Sequence, residues 1–429
     1  MRSARPHVVR AGRPALTRLL GTLDADTFAR EHWGHTLHLA TVEERGGDAF
    51  SDLFSLDAVD ELVSDRALRT PFLRVAKNGS TLPEAGFTSS GGTGAGMPDQ
   101  VDDTRLLRHF ADGSTLVLQG LHRTWGPIRA FAADLADDLG SPVQVNAYIT
   151  PPANQGFDDH YDVHDVFVLQ VSGTKRWSLR EPVLPQPLRS QPWTDRRDAV
   201  AARAQEPAAL ETTLRPGDCL YLPRGWIHSA RAMGEVSAHL TIGVHAWTRH
   251  HVARTALDLL GAGLGDEADV RQSLPLGVDL SSPDGWGEDV EQVRAALLRR
   301  LRDLPAEDLA AALETDHRRS ARPAPVRPLA QAAAAEQLRA DDAVELRRHL
   351  EPALRDDGDR VSLVSRVATF TLPATYRPAL ERLLEAEPVG VRELGGLAGL
   401  DDTEALGLAR GLLHRGVATP AQRRPGRDD

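Results

Sequence analysis

The sequence predicts an α+β protein built on a double-stranded β-helix, a jelly-roll barrel with helices before and after it. Short apolar segments bounded by Gly and Pro crowd residues 115–245, as expected of many short strands joined by turns. Outside that stretch apolar residues recur at helical spacing. His160, Asp162 and the later His228 ask for a scaffold that brings ligands from distant strands to one metal, as the mouth of such a barrel does.

Residues 1–105 read as a mostly helical prelude with a loop. Leu16, Leu19 and Leu20 recur at helical spacing, Asp24 and Asp26 suit N-caps, and Leu53, Leu56, Val59, Leu62 and Val63 repeat the pattern. A short apolar run at 71–75 leads to GFTSSGGTGAGMPDQ at 86–100. No strand leads into Gly92, Gly94 and Gly96 and no helix begins at the third, so a surface loop is expected rather than a phosphate loop.

Residues 106–250 read as the barrel. Strands are expected at 115–119, 144–150, 165–171, 176–180, 218–222 and 237–245, with an amphipathic helix near 126–139. Residues 251–325 read as helical, with helices at 251–264, 291–304 and 306–314 and a loop at 275–286. RRSARPAPVRPLA, 318–330, has the composition of a linker. Residues 326–420 read as a winged-helix unit: a helix at 342–350, strands near 361–371, and helices at 376–386, 391–398 and 403–411. GLDD joins the last two helices in the manner of a helix-turn-helix. The tail, 421–429, is expected to be disordered.

A chain of 429 residues exceeds one ordinary core, so two or three domains are expected. The net charge of −11 disfavours non-specific attraction to nucleic acid or anionic membrane and suits a basic protein partner. Cys219 is the only cysteine, which excludes an internal disulfide and a Cys-rich zinc site. No apolar run reaches the roughly twenty residues of a membrane helix, and the basic start lacks a signal-peptide core. A cytoplasmic protein is the expectation.

The chemistry concentrates in QGFDDHYDVHDVFVLQVSGTKRWSL. In a strand, residues two apart share a face, so a strand opening at His160 would aim His160 and Asp162 at one cation. The third ligand comes from LRPGDCLYLPRGWIHSA, where a Pro-Gly turn, an apolar strand and a second turn deliver His228. Two imidazoles and one carboxylate are the facial triad of non-haem Fe(II) oxygenases. They leave open positions for a bidentate 2-oxo acid and dioxygen.

A lone HxD arises by chance; its conjunction with the later turn, strand and histidine carries the assignment. His164 has the same strand parity, but a rise of about 3.3 Å per residue puts it too far from His160 to share the metal. His239 and His245 are expected in core or supporting roles. A 2-oxoglutarate co-substrate needs a cation for its distal carboxylate. Lys175, in SGTKRW, is the first choice and Arg176 the alternative. Consecutive strand residues face opposite ways, so only one can enter the barrel.

The segments NAYITPPANQGFDDHYD, DVFVLQ, GTKRW and PRGWIHSA resemble the JmjC-fold ribosomal oxygenases, a cupin-superfamily group of ribosomal protein hydroxylases. The order of helical prelude, barrel, helices and winged-helix end is similar over nearly the whole chain. The resemblance implies that His160, Asp162 and His228 bind iron and that Lys175 binds the distal carboxylate of 2-oxoglutarate. It implies further that Asn146, Tyr148 and Thr241 lie near the co-substrate or metal, that the helices after the barrel make a homodimer, and that the substrate is a His or Arg side chain of a ribosomal protein. The chain departs from the common pattern after HxD, with Val163 and then His164.

Three other readings fit the same residues. The triad could serve a metal-dependent cupin enzyme that needs no 2-oxo acid, or a hydroxylase of a small molecule or peptide. The winged-helix unit could make the chain a non-enzymatic sensor. Against DNA reading, the segment 402–411 carries Asp402 and Glu404 and only Arg410 as a cation.

Overall fold

The structure, a computed structural model, describes residues 13–77, 79–94, 96–152, 154–155, 157–282 and 285–421. The tail at 422–429 lies outside the described residues. The described residues divide into two compact units, one over 13–246 and one beginning at Trp247.

The first unit holds β1 (His38–Ala40), β2 (Leu73–Lys77), β3 (Ser80–Thr81), β4 (Thr88–Ser89), β5 (Gln100–Val101), β6 (Thr115–Leu118) and β7 (Val143–Thr150). After these come β8 (Asp165–Ser172), β9 (Lys175–Arg180), β10 (Leu210–Leu214), β11 (Cys219–Leu222), β12 (Ile227–Ala232) and β13 (Ser237–Val244). An eight-stranded sheet runs β1-β11-β8-β13-β7-β6-β2-β3, and a three-stranded sheet runs β10-β9-β12. Val166, Val168, Leu220 and Leu222 of the large sheet pack with Trp177, Leu179 and Leu214 of the small one, so apolar side chains fill one part of the space between them.

The alternation of β7 shows how the sequence sorts its faces. Val145, Ala147 and Ile149 join the main core with Phe131 and Leu135 of the helix Gly126–Leu139. Asn146, Tyr148 and Thr150 therefore face the other way, toward the small sheet. The N-terminal helices Pro14–Leu20 and Ala25–Glu31 add Leu16, Leu19 and Phe28 to that same core.

Several expectations are corrected. Residues 13–105, read as mostly helical with a loop, also hold strands, since β1 pairs with β11 and β2 with β6 inside the large sheet. Their strands are too short to show a period. Strand β12 carries His228 and pairs with β9, although IHSARA lacks apolar alternation. The HxD motif does not open a strand: β8 starts at Asp165, and His160 makes only an isolated bridge to His228.

In the second unit, helices span Arg249–Leu264, Gly287–Asp303, Ala306–Ser320 and Pro328–Gln337. The segment 342–350, read as helix, instead forms β14 (Ala343–Leu346). Its apolar spacing suits a helix, but His349 and Glu351 have φ of 58° and 46°, and pairing with strands on both sides overrides local propensity. Next come β15 (Ala353–Asp357), β16 (Arg360–Val364) and β17 (Thr369–Pro373), which form their own sheet. Helices Arg377–Leu384, Val391–Ala398 and Asp402–His414 follow, with β18 (Val389–Gly390) and β19 (Ala418–Pro420) flanking β14.

Candidate metal centre and adjoining cavity

His160 and His228 come from separate segments locked together by main-chain bonds. The His160 N–H donates to the His228 carbonyl over 3.2 Å, and the His228 N–H to the His160 carbonyl over 2.8 Å. The ring centroids are 4.4 Å apart. Each ring has its Nδ1 against a carbonyl: Asp158 O at 2.7 Å from His160 and Trp226 O at 3.0 Å from His228. An Nδ1–H donating to that carbonyl leaves Nε2 as the free lone pair, the arrangement that orients a metal-binding imidazole.

Asp162 completes the set, with its Oδ2 3.7 Å from His228 Nε2. The three residues offer ligand atoms within 4.8 Å of one another, the one such group among the described residues. Between them Tyr161 is buried the opposite way, its hydroxyl donating to the Gln191 carbonyl over 3.0 Å. The alternation expected of a strand thus holds locally without a strand. Asp165, at the start of β8, accepts from the Arg224 N–H over 2.9 Å and pins the turn that leads to His228. Behind the ligands, Asp159 accepts from Ser229 and Arg180.

Electrostatics favours metal-ready protonation states. Burial, with His160 alongside, pushes His228 down to about 4, so its imidazole stays neutral. Burial opposes ionisation of Asp162, but His164, His228 and His160 together hold its carboxyl below the ordinary value. His164 stacks on His245 with centroids 5.4 Å apart and is not in the ligand group.

Lys175 and Arg176 separate as adjacent strand residues must. Arg176 points outward and pairs with Glu211 at 2.6 Å. Lys175 is buried, its Nζ donating to Thr150 Oγ1 over 3.1 Å. Among the described residues it pairs with no carboxylate, and burial pushes it down to about 7. His239 is buried beside it with Nδ1 unbonded, and burial together with Lys175 and His228 drives that imidazole well below its usual value. The Trp177 ring lies 6.0 Å from His228 and 5.5 Å from His239.

Asn146, Tyr148 and Thr241 lie with Asp162 around a cavity of about 420 Å³. Asn146 is level with Thr241, and Tyr148 with His239, across β7 and β13. Asn146 Oδ1 accepts from the Gly120 N–H over 3.1 Å, and Tyr148 stacks on His239 at 5.1 Å. Lys175 is not part of this cavity wall; Thr150 and His239 are its neighbours. Sequence reasoning missed Thr150 and Arg74 beside the site, and it weighed His164 only as a metal ligand, whereas His164 lines the cavity. Strand parity could have found Thr150, two residues beyond Tyr148.

The residues fit the group they are expected to hold. Two imidazoles and a carboxylate match Fe(II) in an oxygenase site. A buried ammonium without a counter-ion, beside an unbonded imidazole nitrogen, matches the distal end of a dicarboxylic co-substrate.

A JmjC domain is matched over residues 124–252, which span Asn146, the HxD motif, Lys175 and His228. The bifunctional lysine-specific demethylase and histidyl-hydroxylase NO66 of Drosophila persimilis is 28% identical over 280 residues, 63% of this chain and 37% of that protein. The chain contains a JmjC domain and is similar over that region to ribosomal oxygenases. Human ribosomal oxygenase 1 is 42% identical to this JmjC protein over 119 residues, 27% of this chain and 18% of that one. The JmjC chain spans little more than a third of the length of the NO66 relative. In fold it is similar to YcfD, a ribosomal oxygenase from Escherichia coli, with a TM-score of 0.53, 18% identity, and coverage of 94% of this chain and 99% of that chain.

Proposed function

We propose that this JmjC protein is an Fe(II)- and 2-oxoglutarate-dependent oxygenase that hydroxylates a side chain of a protein, with a ribosomal protein as the substrate class. The observation that carries the reading is the convergence of His160, Asp162 and His228 on one point, in a barrel that also buries the unpaired Lys175. The names of the relatives, histidyl-hydroxylase and ribosomal oxygenase, support the substrate class.

Iron with 2-oxoglutarate and dioxygen supplies oxidation of an unactivated C–H bond, coupled to decarboxylation of the 2-oxo acid to succinate. The protein's residues do the rest. His160, Asp162 and His228 would hold the metal. Lys175 and Thr150 take the distal carboxylate, and Trp177 and His239 wall that end against water. Asn146, Tyr148 and Thr241 border the space next to Asp162, where co-substrate and target meet.

The helices of 251–325 are assigned to a homodimer interface, supported by the exposed Val252, Leu257, Leu298 and Leu301. The 326–420 unit is assigned a winged-helix protein-docking or structural role. Arg410 donates to the carbonyls of Ala335 and Leu338, which removes it from any DNA-reading face. No described helix is long and apolar enough to cross a membrane; a ribosomal substrate is consistent with a cytoplasmic enzyme.

The deciding experiment is anaerobic titration of chelator-stripped protein with Fe(II) and then 2-oxoglutarate, reading the visible charge-transfer band of the bidentate complex. The band appears in the wild type and is lost in His160→Ala. Metal binding without the band would move the protein to a cupin enzyme independent of 2-oxo acids.

A further inference from the structure

The cavity beside Asp162 is lined by side chains of one sign of charge apart from Asp162 itself. Arg74 and Arg123 supply guanidinium groups, while His122, His164, Gln119 and Gln144 supply further polar atoms. Among the described residues Asp162 is the only carboxylate in the wall, and a bound divalent metal would more than offset its charge.

Arg74 stands apart from other partly buried arginines of this unit. Arg45 pairs with Asp48, Arg180 with Asp159 and Arg224 with Asp165. Arg74 is half-buried, its Nε is sealed from solvent without a hydrogen-bond partner, and it makes no ion pair among the described residues. The strand register explains its direction. Arg74 is level with Val117 on β6, which is level with Tyr148 on β7, so Arg74 shares the inward face with Tyr148. Leaving a buried guanidinium N–H unsatisfied is costly, and a ligand that presents an acceptor there removes the cost. Arg123 is exposed on the same cavity and adds its charge.

We propose that this cavity selects its target group by charge: Arg74, assisted by Arg123, admits an uncharged or acidic side chain bearing a hydrogen-bond acceptor and rejects arginine and lysine side chains. The proposal rests on the oxygenase reading and deepens it, because that reading leaves the target side chain open. The rejection is an uncompensated like-charge contact in a confined space, where screening by water is weak.

The test uses full-length protein loaded with zinc and 2-oxoglutarate, so that no turnover occurs. Nonapeptide pools with randomised uncharged flanks and a fixed central His, Asn, Asp, Lys or Arg are bound and measured by fluorescence polarisation. The His, Asn and Asp pools bind at least about tenfold more tightly than the Lys and Arg pools. Arg74→Glu reverses that ranking, and Arg123→Glu, at an exposed position that the fold tolerates, shifts it the same way by less. If Arg74→Glu does not fold, Arg123→Glu alone decides. Pools that bind the wild type without ranking, including no binding by any, overturn the proposal, as does a ranking that neither charge reversal moves. The iron and 2-oxoglutarate band tests the oxygenase reading separately: its absence overturns that reading, whereas its presence with unranked pools overturns only the charge selection.

Discussion

The Gly225 N–H donates to the Asp162 carbonyl over 3.0 Å, so the turn before His228 also fixes the main chain of the carboxylate ligand. Gly225 has φ of +91°, and a Cβ there would come within 2.6 Å of the Leu184 carbonyl and 2.8 Å of Pro187 Cδ. Only glycine fits both the conformation and the space. Gly225→Ala is expected to cost about 1–3 kcal/mol of stability and to weaken metal binding by moving Asp162. Denaturant unfolding and metal titration of the variant check both; an alanine variant that binds metal normally would separate the turn from the site.

His160→Ala should behave differently. The segment is held by the paired main-chain bonds to His228 rather than by the imidazole. Removing the ring is expected to lower Fe(II) affinity by more than about 100-fold. The stability of the metal-free protein should stay within about 0.5–1 kcal/mol. Calorimetric metal titration beside a thermal melt reads the two effects, and a large fall in melting temperature would show that the ring supports the fold.

Lys175→Met removes a buried cation that has a hydroxyl but no carboxylate for company. The metal-free, ligand-free variant is expected to gain about 1–3 kcal/mol, while 2-oxoglutarate binding is lost and metal binding stays. Stability traded for binding at one side chain is the signature of a ligand site, and a destabilised variant with intact co-substrate affinity would contradict the assignment.

The candidate ligands were legible because chemistry constrains them twice, by residue type and by spacing. His160, Asp162 and His228 stand in a pattern that few other roles require, and the alternation of β7 was readable from apolar residues alone. The choice between Lys175 and Arg176 was not, because parity says only that they diverge. The pairing of Lys175 with Leu214 on β10 and Ala232 on β12 fixes which way each points, and neither strand announces itself in sequence. Arg74 was hidden for the same reason, since it reaches the site through strand register across the large sheet. The misread segment at 342–350 lost its helical pattern to pairing with β18 and β19, far along the chain.

The same lysine sets a pH dependence. Burial pushes Lys175 down to about 7 from an ordinary 10.5, so between these values the unfolded chain holds a proton that the folded, ligand-free protein has released. Its contribution to stability is therefore fully present above about 10.5 and is lost as pH falls through about 7. The distal carboxylate of 2-oxoglutarate favours the charged ammonium, so binding must take up a proton above pH 7, and affinity should fall as pH rises toward 9. Calorimetry in buffers of different ionisation enthalpy is expected to report uptake approaching one proton at pH 8.5 in the zinc-loaded wild type. Lys175→Arg, which keeps its charge throughout this range, should show almost none. Equal proton uptake in both proteins would assign the linkage to another group and leave Lys175 without its role.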